Sequence, residues 1–129
     1  MQILGYDNMG IKKIIKRRVM GRRWMLVIYM DKKIDRDKLA QDNRDIEYNP
    51  DAGIKYPTIR TSAGTICYMA QSIRITNPRT DDMMPIIQFA VNKLDGRKVS
   101  RSWFEFVNYW KNEIKDLNKA EKKLNRLFE

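Results

Sequence analysis

The chain has 129 residues, with 26 Lys and Arg against 16 Asp and Glu and no His, for a formal net charge of +10. The missing His excludes Ser–His–Asp and Cys–His nucleophilic arrangements, HExxH zinc sites and His-dependent nuclease motifs. The single cysteine, Cys67, excludes a CxxC site and an intramolecular disulfide.

A hydrophobic content of 43% supports a globular chain, read as one domain spanning residues 1–129. The N-terminus lacks a cationic start followed by an apolar run, so an intracellular, reducing setting in the cytoplasm is expected. The longest apolar run, Trp24 to Met30, is strand-sized and far short of the ~20 residues of a membrane span. No membrane association is expected.

In chain order, Met9 to Val19 reads first as an amphipathic helix. Ile11, Ile14, Ile15 and Val19 share a helical face, and Gly21 follows as a stop. The competing reading is a hairpin turning near Met20-Gly21 with both arms as strands. Trp24 to Met30 is the clearest strand, and its lack of polar alternation predicts a central strand covered on both faces, with Trp24 in the core. Asp35 to Arg44 suits a short polar helix or loop, and Ile46-Glu47-Tyr48 a short strand. Asn49-Pro50-Asp51-Ala52-Gly53 is the strongest turn signal. An extended piece follows over Ile54-Lys55-Tyr56, ended by Pro57.

Thr58 to Thr76 is ambiguous: Ile66, Met69, Ala70 and Ile73 have helical spacing, while Ser72 to Thr76 alternates like a strand. Cys67 lies in an apolar stretch and reads as a small buried residue. Pro85 is placed to open a helix, with Asp81 and Asp82 at its positive dipole end, running to about Leu94 and ended by Asp95-Gly96.

The last predicted element is a long amphipathic helix over about 102–128. Ser102 and Glu105 form a capping box before an apolar run. Trp103, Val107, Trp110, Ile114, Leu117, Leu124 and Phe128 share one side, while Lys111, Lys115, Lys119, Lys122, Lys123 and Arg126 lie opposite. Trp103, Phe104, Phe106, Val107, Tyr109 and Trp110 surround its first turns, which predicts burial on several sides. The narrower stripe beyond Leu117 suits pairing with a second copy, so a homodimer through this helix is an alternative to packing on the chain's own sheet. The expected fold is α+β: a small, mostly antiparallel sheet packed by helices and closed by this long helix.

The charge is localised. The basic segment 11–23 holds Lys12, Lys13, Lys16, Arg17, Arg18, Arg22 and Arg23 with no acid among them, beside the aromatic residues Tyr6, Trp24 and Tyr29. Cations release counterions from phosphates and rings stack on unpaired bases, so the pattern suits nucleic acid. The lysine face of the last helix is a second basic surface. Its i, i+4 lysine pairs repel by about 0.3 kcal/mol each, which a polyanion would relieve. Arg97, Lys98 and Arg101, beside the Ser102 cap, form a smaller group suited to a phosphate.

No Gly-rich phosphate loop, metal-ligand cluster or cofactor motif is evident, and Asp81, Asp82 and Asp95 read as a helix start and a turn. The expectation is therefore a non-catalytic nucleic-acid-binding protein, without cofactor or metal, making mainly phosphate contacts. The heavy use of Ile, Lys, Asn and Met suggests a phage or mobile-element source. Two alternatives use the same charge. One is an inhibitor bound to an acidic or nucleic-acid-handling host protein, as in anti-defence systems. The other is a genome-facing virion or assembly protein.

Overall fold

The computed structural model describes residues 10–19, 21, 23–78, 83–95 and 102–113. Six strands form one fully antiparallel sheet: β1 (Ile11–Arg18), β2 (Trp24–Met30), β3 (Glu47–Asn49), β4 (Ile54–Thr61), β5 (Gly64–Tyr68) and β6 (Ser72–Thr76), in the order β1-β2-β6-β5-β4-β3. Among the described residues three short α-helices accompany it, α1 (Arg36–Asp42), α2 (Met84–Asn92) and α3 (Trp103–Glu113). This corrects the expected fold. The sheet dominates the described architecture, and α3 is described for 11 residues rather than as a long C-terminal helix. The remainder of that expectation, 114–128, lies outside the described residues.

The basic segment forms the first arm of a hairpin, not a helix. Arg18 pairs with Trp24, Val19 N–H donates to the Arg23 carbonyl at 2.8 Å, and Gly21 takes φ +58° in the turn. The helical spacing has a specific origin. A bulge between Ile11 and Lys13 shifts the alternation by one residue. Ile11 and Ile14, three apart, therefore both turn toward the core and imitate one helical face.

The ambiguity of Thr58 to Thr76 resolves in favour of strands, and one expected strand end does not hold. Ile66 and Ile73 belong to the neighbouring strands β5 and β6, where both are buried on the same side. Pro57 does not end β4; the pairing with β3 slips between Ile54 and Thr58, where a residue without N–H is tolerated. The Asn49–Gly53 turn forms as expected, with the Asn49 side chain accepting from Ala52 N–H at 3.2 Å and Gly53 at φ +91°.

The core lies on one face of the sheet. Ile14, Leu26, Ile28, Met30, Ile59, Ile66, Tyr68, Ile73 and Ile75 meet Ile86, Ile87, Phe89 and Ala90 of α2 and Phe106 of α3. The Tyr68 hydroxyl donates to the Ala90 carbonyl at 2.6 Å, tying β5 to α2. Phe89, Trp103 and Phe106 form an aromatic cluster with centroids 5.3 to 6.4 Å apart. Leu39 brings α1 into the same core, and Asn43 at its end donates to the Lys93 carbonyl at 3.3 Å. All three helices thus share one face. Pro85 opens α2 and Ser102 caps α3, its hydroxyl accepting from Glu105 N–H at 3.3 Å, as the sequence predicts.

Three burial expectations are corrected. β2 is internal to the sheet, but the described helices cover only one of its faces. Trp24, at the outer end of β2, is 39% exposed instead of lying in the core. Phe104 is 75% exposed, so the start of α3 is not enclosed on all sides.

Candidate nucleic-acid interface

Directly paired residues of an antiparallel sheet share a face, so the register maps the side opposite the helices. One row runs Arg17, Met25, Thr76, Thr65 and Arg60 across β1, β2, β6, β5 and β4. The next runs Ile15, Val27, Arg74, Cys67, Thr58 and Glu47. A third sets Lys13, Tyr29 and Ser72 side by side. Val27 is buried on this face and stands apart from the core beneath the helices. Among the described residues no helix packs on this side.

This face therefore presents Lys13, Arg17, Arg60 and Arg74 around a floor of Ile15, Met25, Val27 and Cys67. Its acid, Glu47, sits at the far edge on β3. Arg17, Arg60 and Arg74 are exposed and form no ion pair with any described residue. The Lys13 ammonium lies 5.3 Å from the centroid of the Tyr29 ring. Cys67 is half-buried here, not enclosed as expected, with Sγ 3.6 Å from the Thr58 hydroxyl.

The rest of the basic hairpin turns the other way. Lys16 pairs with Leu26 and Arg18 with Trp24, which puts both cations on the helix side of the sheet. Their charged groups lie 5.4 and 5.5 Å from the Trp24 ring centroid, within cation–π range. Lys12 is exposed in the β1 bulge and Arg23 is exposed at the turn.

The structure thus splits the cluster over both sides of an edge strand. Lys111 belongs to α3, and nothing further is described of its side chain. Arg22, Arg97, Lys98, Arg101, Lys115, Lys119, Lys122 and Lys123 lie outside the described residues, as does any pairing through the end of the last helix.

Sequence reading missed Arg60 and Arg74. The signal was present: each follows an isoleucine that alternation sends into the core, Ile59 and Ile73, so the arginine must face the opposite way.

A cleft of about 580 Å³ lies elsewhere, beside Asp31, Lys33, Asp35, Lys38 and Asp42. Its mixed charges give a polyanion little net attraction. Among the described residues, no group of three His, Cys, Asp or Glu side chains is placed to hold a metal ion, and no helix is long and apolar enough to cross a membrane. Comparison with protein-family models, curated proteins and solved structures finds no match to this chain.

Proposed function

We propose that the protein binds nucleic acid without catalysis, using the sheet face on which no described helix packs as the principal surface. The observation that supports this reading most directly is the register, which gathers Lys13, Arg17, Arg60 and Arg74 from three strands onto one side. Residues distant in sequence thereby form a single positive field, the footprint that phosphate binding requires. The cationic edge also keeps β1 from pairing with other chains, a purely protective use of Lys and Arg. That use does not call for Arg60 and Arg74, which lie inside the sheet.

The test is retention of DNA and RNA at low salt, followed by affinity against salt concentration. If the four cations of this face meet B-DNA phosphates, log K falls with log salt at a slope of about −4. A slope near zero, or no retention at low salt, overturns the reading.

A further inference from the structure

The split of β1 cations between two faces restricts what the ligand can be. Lys13 and Arg17 point to the side without a described helix; Lys16 and Arg18 point to the helix side with Trp24. β1 is an edge strand of the sheet that the described residues form, so passing from one set to the other means turning around that edge. A duplex cannot follow that turn, because its persistence length is about 50 nm. A single strand bends within a few nucleotides.

Trp24 adds a second, independent observation. It is 39% exposed at the end of a strand whose other residues are buried or half-buried, and it lies within 5.5 Å of two cations. An exposed indole beside cations is the combination that takes an unpaired base and its flanking phosphates together.

Resting on the nucleic-acid reading above, we propose that the ligand is a single strand. It crosses the β1 edge, with one base stacked on Trp24 and adjoining phosphates on Lys16 and Arg18. Stacking on an indole is indifferent to the sugar, so deoxyribo- and ribo-oligonucleotides both qualify, and the experiment carries one arm for each.

The experiment measures binding of labelled oligo-dT and oligo-rU of about 16 nucleotides, and of a duplex of the same length, by fluorescence anisotropy at about 0.1 M salt. Wild type should bind at least one single strand more tightly than the duplex. Trp24→Leu should weaken single-strand binding roughly tenfold, the effect of one stacked base, and leave the duplex within about twofold. Trp24→Phe keeps a ring and should retain most of the single-strand affinity.

Should Trp24→Leu lose its fold by circular dichroism, the comparison moves to tryptophan emission. Oligonucleotide should quench wild type and have much less effect on Trp24→Phe. Equal binding of duplex and single strand, or equal losses for both in Trp24→Leu, overturns the single-strand inference while leaving phosphate binding intact. Failure of all three probes to bind at low salt overturns both.

Discussion

The Lys93 ammonium stands 3.0 Å from each carboxylate oxygen of Asp45, although only 2% of the lysine side chain is exposed. Its Nζ is also 4.8 Å from the centroid of the Phe89 ring. The pair joins the turn after α1 to the end of α2 across the core side of the sheet. Removing the carboxylate takes the acid partner from a cation that is almost wholly buried. Asp45→Ala should cost about 3 kcal/mol in urea denaturation, and adding Lys93→Met should recover much of that loss. Simple additivity of the two changes would show that the pair is not coupled.

Tyr68 sets an alkaline limit on stability. Burial, helped by the nearby negative charge of Asp45, raises its phenol well above the usual value near 10. A neutral Tyr68 is common to both states below that value, so its contribution is then fully present. As pH rises past about 10 the unfolded chain ionises first and stability declines. Tyr68→Phe should lose about 1 kcal/mol at neutral pH, with the hydrogen bond to Ala90, and show a shallower alkaline decline. Denaturation midpoints measured between neutrality and strong alkali test both statements.

Gly64 opens β5 at φ +147°, where side chains are rarely accommodated. A Cβ there would stand 3.1 Å from the Thr76 carbonyl oxygen and 3.3 Å from both Ile75 Cγ2 and Ile86 Cδ1. Backbone strain and crowding reinforce each other. Gly64→Ala should destabilise by about 2 kcal/mol, seen as a lowered thermal midpoint. A neutral result would mean that the β4–β5 turn relaxes freely.

Arg60 and Arg74 are exposed, and each flanks an isoleucine that supplies the core contact at that point. Changing both to Ala should leave the thermal midpoint within about 4 °C. If they meet phosphates, the salt slope for duplex DNA becomes shallower by about 1.8. A slope unchanged by the double variant would remove these arginines from the interface.

Local chemistry was legible in the sequence wherever it acts alone. The Asn49–Gly53 turn, the Ser102 cap and Pro85 at the start of α2 each depend on neighbours in the chain. The β1–β2 hairpin was visible only as the second choice, because the bulge at Ile11–Lys13 disguised a strand period as a helical one. Trp24 looked like core because β2 is apolar throughout, yet it stands 39% exposed at the start of that strand, beside the turn. The basic segment was conspicuous, but its division between two faces, and its union with Arg60 and Arg74, arise from pairing that no local pattern reports.

The sheet is joined at one long-range seam. β1 and β2 form a hairpin, and β3 to β6 form a meander in which each strand pairs with the next. Among the described residues the two halves of the sheet pair only where β2 runs beside β6, Tyr29 opposite Ser72 and Met25 opposite Thr76. Each half can zip up from its own turns, but the seam requires closure of the long intervening chain before any contact rewards it. Folding speed should therefore respond to Ile28 and Ile73, the buried pair within the seam, far more than to the turn at Thr61–Gly64. The same seam unites Arg17 with Arg60, so the surface proposed for binding is complete only once the two halves have met.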